Sequence, residues 1–141
     1  MLKYIVGKDV MFDALRDNDA EDIKVIFRDA ARKRINLYIT PDTIRDIISA
    51  LQKEHDDPSI IGPYMQKLIL CIKICSVFQD ECLRAIATMN ENYEASLMIQ
   101  LSDRYGVDGI ISNDIKKFEK EKYKVITPHD VAEKLKSENL T

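Results

Sequence analysis

The feature that most constrains the fold of this chain is a regular alternation of short apolar runs with longer amphipathic stretches. The apolar runs are predicted to be strands, at residues 2–6, 37–39, 109–111 and 124–126, with a weaker fifth at 76–78. Helical periodicity occupies the intervening segments, at residues 10–16, 20–33, 43–53, 60–72, 94–104 and 131–136. Strands that alternate with helices predict a three-layer α/β/α sandwich with a central, mostly parallel sheet.

The size and composition of the chain are those of an ordinary globular protein. With 141 residues, 45% of them hydrophobic and 32% charged, we expect one domain over residues 1–141. The net charge of −3 gives no general attraction to nucleic acid, although residues 116–124 include five lysines. The three cysteines show no CxxC spacing, and no signal peptide or membrane span is predicted. We therefore expect a reduced, cytoplasmic protein that does not bind membranes.

Polar side chains follow several predicted strands at the point where a helix begins. Two junctions, LYITPDTIRDII and YKVITPHDVAEKL, run from strand to Thr, Pro and an acid, which suits a capped helix start. Lys8 and Asp9 come soon after the first strand, and Ser112, Asn113 and Asp114 follow the strand at 109–111. Because the carboxyl ends of parallel strands meet at one edge of a sheet, this edge is the candidate site.

The residue types of the chain argue against a nucleotide-binding loop and against histidine-based catalysis, so carboxylates are the remaining candidates for a functional site. There is no GxxxxGK[ST] or GxGxxG motif, and Gly7 alone cannot form a nucleotide-binding loop. His55 and His129 occur in unrelated contexts without the oriented partner that a catalytic base needs. Glu94 lies at the margin of an apolar stripe, where it either lines a site or stabilises its helix as a first-turn acid. Periodicity alone places Asp46 off the buried face of its helix, as a surface acid.

Five features taken in order resemble the PIN-domain family of small α/β nucleases, which includes the toxin halves of many bacterial toxin–antitoxin pairs. Four segments carry them, the third of which carries two: YIVGKDVMFDAL, YITPDTIRDIISAL, YEASLMIQLSDRYGVDGIISND and YKVITPHDVAEKL. By this resemblance Asp46 stands at the Glu of the family's third helix, and Glu94 at the acid that opens the D-A-h-h-A helix, h being apolar. Asp114 stands at the acid of the family's T-[NR]-[DN] junction.

The resemblance implies a toxin-like ribonuclease that depends on Mg²⁺ or Mn²⁺, hard cations that prefer oxygen ligands and activate water. By the same resemblance Asp46, Glu94 and Asp114 are metal ligands and catalytic residues. Asp9 is predicted to be a fourth metal ligand that substitutes in part for the family's first aspartate. The predicted substrate contacts surround the same edge: Lys8, Ser112, Asn113, Lys116 and Lys117. RNA, an antitoxin-like protein and a second copy of the chain are the expected partners.

The opening segment departs from the family pattern where the first metal ligand is expected. Gly7 stands at the family's first aspartate, Lys8 at the following Thr or Ser, and Asp9 where Asn or Ser is usual. Lys117 stands where many members carry a further Asp, and Asp46 is one methylene shorter than the family's Glu. We therefore expect weak metal binding, with a dissociation constant no tighter than about millimolar.

Three interpretations remain open at this point. The chain is a ribonuclease with an incomplete acidic site, or a catalytically inactive PIN-like module that binds RNA or protein. An unrelated Rossmann-like scaffold is the third, since strand–helix alternation is shared by many functions. Lys8 bears on the choice: it is either a solvated lysine at a turn, or an ammonium that reaches the acids and replaces the metal cation.

Overall fold

A five-stranded, all-parallel sheet lies at the centre of the fold, in the order β3-β2-β1-β4-β5. The computed structural model describes residues 1–16, 20–54, 57–89 and 92–139. The strands are β1 (Leu2–Val6), β2 (Ile35–Ile39), β3 (Lys73–Ile74), β4 (Gly109–Ile111) and β5 (Val125–Ile126). The central strand, β1, is hydrogen-bonded on both sides, so its carboxyl end lies beside those of β2 and β4.

Helices cover both faces of the sheet, which confirms the predicted three-layer α/β/α sandwich. The helices are α1 (Lys8–Arg16), α2 (Glu21–Ala31), α3 (Pro41–Glu54), α4 (Pro58–Cys71), α5 (Gln79–Thr88), α6 (Tyr93–Tyr105) and α7 (Pro128–Asn139), with a 3-10 helix at Ile115–Lys124. Side chains of β1 alternate between two cores: Tyr4 and Val6 pack with α1–α4 and α7, and Ile5 packs with α5 and α6. Within the described residues, no helix is long and apolar enough to cross a membrane.

The predicted strand at 76–78 is wrong, and the fifth strand is instead the short β3. The last ladder bond runs from the Cys75 N–H to the Ile39 oxygen, at 2.8 Å. The following Ser76 N–H donates to the Tyr105 hydroxyl at 2.8 Å, so a side chain of α6 replaces the neighbouring strand. Helix α5 was also not predicted. Its buried residues are only Ala85 and Glu81, which leaves a short apolar stripe.

Candidate acidic site

The ends of β1 and β4 meet at the carboxyl edge of the sheet, as the parallel arrangement requires. Val6 is in register with Ile111, and the Gly7 N–H extends the pairing by donating to the Ile111 oxygen at 2.9 Å. The segments that leave these strands therefore start side by side. One carries Lys8 at the start of α1, and the other carries Ser112 directly after β4.

Gly7 makes room for a close approach of the Asp9 side chain, and its own backbone conformation is ordinary. Its φ lies outside the left-handed region. A Cβ at this position would lie 2.7 Å from Asp9 Oδ1 and 3.3 Å from the Ile111 oxygen. The absence of a side chain thus lets the Asp9 carboxylate fold back over the end of β1, into the space that a longer residue would occupy.

Asp9 uses its carboxylate to join the two strand ends. The Ser112 hydroxyl, whose residue is fully buried, lies 3.2 Å from both Asp9 oxygens. The Asn113 N–H donates to Asp9 Oδ2 at 2.8 Å, and the Asp114 N–H donates to Ser112 Oγ at 3.0 Å. The sequence places these residues at one edge, and the structure shows that Asp9 is engaged there by neutral donors.

Lys8 lies between two acids that come from different helices. Its Nζ is 3.2 Å from Glu94 Oε2 and 3.7 Å from Asp46 Oδ2. The side chains of Lys8, Asp46 and Glu94 are 41%, 31% and 20% exposed, so the cluster is partly shielded from water. The Glu94 carboxylate raises the pKa of Lys8, opposed by partial burial and assisted by Asp46. The lysine is therefore a fixed positive charge at this site.

The surroundings of the two acids differ. Glu94 is in the first turn of α6, where the Asn92 side chain caps the helix by accepting the Ala95 N–H at 2.9 Å. Its second oxygen, Oε1, is buried and has no hydrogen-bond partner among the described residues. Asp46 is half-exposed on α3, and its Oδ1 lies 3.6 Å from Nε of the exposed Arg45. Asp46 is thus shared between two cations, one of them at the outer surface.

The remaining predicted site residues lie at the same end of β4 but do not join the Lys8 cluster. Asp114 has an exposed side chain that pairs with no described residue. Asn113 is exposed and its Nδ2 is 3.4 Å from Asp13 Oδ2. Lys116 is exposed, and Lys117 Nζ lies 5.5 Å from the centre of the Phe118 ring. These groups border the edge as a polar rim.

The donor set at this edge does not fit a divalent cation as it stands. Gly7 supplies no ligand, and both oxygens of Asp9 lie within hydrogen-bonding distance of the Ser112 hydroxyl. Among the described residues, the carboxylates of this edge do not form any group of three with oxygens all within 4.8 Å of one another. Where Asp46 and Glu94 approach, Lys8 provides the positive charge.

One cluster of potential ligands was missed by the sequence reasoning. Asp22, His129 and Glu133 each place a ligand atom within 4.8 Å of the other two, and His129 Nδ1 is 3.3 Å from Asp22 Oδ2. The i, i+4 spacing on α7 could have suggested the pair, but Asp22 comes from α2. His129 is 67% exposed, as expected for a surface residue. His55 lies outside the described residues.

Comparison by sequence finds no relative, whereas comparison by structure finds several. No family model and no curated protein matches the sequence. A chain of a toxin–antitoxin complex from Klebsiella pneumoniae superposes with a TM-score of 0.65 at 14% identity, covering 89% of this chain and 97% of that one. The protein PAE2754 from Pyrobaculum aerophilum gives a TM-score of 0.65 at 17% identity, covering 96% of both chains.

A third solved structure extends the same result. A chain of VapBC2 from Rickettsia felis, solved with a DNA fragment from its promoter, superposes with a TM-score of 0.66 at 10% identity. The match covers 89% of this chain and 98% of that one. At such low identities the similarity establishes the fold, and the chemistry has to be argued from the side chains described above.

Proposed function

We propose that this chain, which has the α/β/α fold of PIN-domain proteins, is a toxin-like protein-binding module without metal-dependent ribonuclease activity. The observation that carries the proposal is the Lys8 ammonium, 3.2 Å from Glu94 and 3.7 Å from Asp46. A metal-dependent nuclease of this kind uses its carboxylates to hold a divalent cation that activates water. Here two of those carboxylates already pair with a cation that belongs to the chain.

The second candidate function is a weakened ribonuclease, and one observation favours it. Asp46 and Glu94 come from different helices and nevertheless meet at one ammonium, as the acids of a metal site would. In that function these two acids, with Asp9 and Asp114, would hold a Mg²⁺ or Mn²⁺ ion weakly, and the ion would supply an activated water. The side chains that would contact RNA border the same edge: Lys8, Ser112, Asn113, Lys116 and Lys117.

The experiment that separates the two functions restores the expected site. We would assay cleavage of single-stranded RNA with Mn²⁺ by the wild type and by a Gly7→Asp, Lys8→Thr double variant. We expect no cleavage by the wild type and metal-dependent cleavage by the double variant, which Glu94→Ala should abolish. Metal-dependent cleavage by the wild type, lost on Glu94→Ala, would instead establish the ribonuclease.

Protein binding is supported by the concentration of exposed apolar side chains in the part of the chain around β3. Of the exposed large hydrophobic side chains among the described residues, all except Met1 and Ile115 lie between positions 60 and 89. We define the edge face by the exposed members on α4, β3 and α5: Ile69, Leu70, Ile74, Leu83 and Ile86. The Leu70 residue is 84% exposed to solvent, which is unusual for a leucine. Patches of this kind mark interaction surfaces.

We assign the edge face to a second copy of the chain. Helix α4 carries a single charged residue, Lys67, so little on it would repel an identical helix related by a two-fold axis. Light scattering coupled to gel filtration should show a dimer for the wild type and a monomer for Leu70→Glu. Ile115→Glu, a matched change away from this face, should remain dimeric. A monomeric wild type at high micromolar concentration would refute the assignment.

An antitoxin-like protein is the proposed functional partner. It is supported by the fold that this chain shares with chains of two toxin–antitoxin complexes. Co-expression with the product of an adjacent small gene, followed by purification and mass measurement, should give a stable complex of defined composition. Recovery of the chain without that product would contradict this partner.

A further inference from the structure

Lys8 joins the two helical layers of the sandwich at the carboxyl edge of the sheet. Asp46 belongs to α3, which packs into one core, and Glu94 to α6, which packs into the other. Lys8 is the first residue of α1 and follows Gly7, whose N–H is bound to β4. The end of the sheet therefore fixes the point from which the lysine reaches the two acids.

Charges alternate along a row of five side chains at this site. Glu94 pairs with Lys8, Lys8 with Asp46, and Asp46 with Arg45, whose Nε lies 3.6 Å from Asp46 Oδ1. Arg45 Nη1 also lies 3.5 Å from Asp42 Oδ1, so the row has three carboxylates and two cations, with a net charge of −1. A hard divalent cation needs more carboxylate charge than the single negative charge that Lys8 and Arg45 leave here.

The second carboxylate oxygen of Glu94, Oε1, is not placed to bind a divalent cation while Oε2 pairs with Lys8. In the part of the chain that the structure describes, buried Glu94 Oε1 has no hydrogen-bond partner, whereas Oε2 faces the lysine. Mg²⁺ and similar ions retain several waters when bound to protein and need an accessible oxygen. The oxygen that such an ion could reach at Glu94 is the one that Lys8 already occupies.

We infer that the Lys8 ammonium takes the place of a divalent cation between Glu94 and Asp46, and so blocks a latent metal site. The inference deepens the proposed function and rests on its premise that the Lys8 ammonium, and not a metal, pairs with the acids of the wild-type centre. Removal of the ammonium leaves two carboxylates from opposite layers facing each other. Their repulsion is then relieved by any hard cation that enters from solvent.

The test measures metal binding rather than catalysis. Mn²⁺ binding to the full chain would be followed by calorimetry, and its effect on melting temperature by circular dichroism. Lys8→Ala should bind Mn²⁺ about tenfold or more tighter than the wild type, and Mn²⁺ should raise its melting temperature. Lys8→Arg keeps a cation at the site and should bind no better than the wild type. Glu94→Gln added to Lys8→Ala should remove the gain.

A matched control separates this effect from general charge loss. Lys53→Ala removes an exposed lysine in the last turn of α3, outside both groups of potential ligands, and should leave Mn²⁺ binding unchanged. Equal Mn²⁺ affinity of the wild type and Lys8→Ala would overturn the inference. If Lys8→Ala does not fold, Lys8→Gln gives the same comparison with a neutral side chain of similar length. Cleavage of RNA by the wild type would refute the proposed function without altering these binding results.

Discussion

Replacement of Arg104 by methionine should destabilise the fold more than loss of an exposed ion pair, because it leaves a buried carboxylate without its partner. The Glu81 side chain is 2% exposed. Its Oε2 accepts from Arg104 Nε at 2.7 Å, and its Oε1 accepts from Nη2 at 2.9 Å. The guanidinium also donates to the Ser76 oxygen, so it holds the chain between β3 and α5 against α6.

The magnitude follows from burial and from the loss of ring contacts. Removal of one partner of a buried ion pair costs about 3–5 kcal/mol, and we take about 3 because Arg104 is 30% exposed. Its guanidinium carbon lies 4.2 Å from the Phe78 ring centre and 4.6 Å from that of Tyr105, contacts worth about 0.5–1 kcal/mol in all. The free energy of unfolding should fall by about 3–4 kcal/mol, and the melting temperature by about 10 °C.

Urea denaturation followed by circular dichroism measures this loss directly. Arg45→Met is the matched control, since Arg45 is 70% exposed and its pairing with acids should contribute less than about 1 kcal/mol. Glu81→Gln added to Arg104→Met should recover about 1–2 kcal/mol, because the buried charge is removed. A stability of Arg104→Met within about 1 kcal/mol of the wild type would refute the reasoning.

Three further predictions concern the same core and the site. The hydrogen bonds from Arg104 lower the pKa of Glu81 in the folded protein. The ionised carboxylate therefore stabilises the fold at pH values above the pKa of an unfolded Glu, and this stability is lost as the pH falls through the lowered pKa. Acid unfolding of Glu81→Gln should accordingly depend less steeply on pH than that of the wild type. Ser112→Ala should cost about 1–2 kcal/mol in urea denaturation, because the hydroxyl that bonds Asp9 is lost. In Gly7→Ala the new Cβ should turn the Asp9 carboxylate away from the end of β1. The Asn113 N–H, which donates to this carboxylate, should then exchange its hydrogen faster. An unchanged exchange rate of the Asn113 amide would contradict the close approach.

The order of strands and helices could be predicted from the sequence because it depends on local periodicity. The strand at 109–111 matches β4 residue for residue, and the alternation correctly indicated a parallel sheet covered on both faces. The strand predicted at residues 76–78 is absent, because the apolar side chains of this segment are typical of a strand but it pairs with no neighbouring strand among the described residues. Only the tertiary fold brings Tyr105 and Arg104 to this segment, and their hydrogen bonds take the place of a strand ladder.

The sequence by itself determined which groups stand at the carboxyl edge. Gly7 and Lys8 follow a strand whatever the later packing, so a residue without a side chain and then a lysine at this point are properties of the sequence. Only the tertiary structure decided how the charges pair. Helical periodicity describes Asp46 as a surface acid, and nothing local relates it to Glu94. The two meet because α3 and α6 cover opposite faces of one sheet and both begin at its carboxyl edge, where one ammonium reaches both carboxylates.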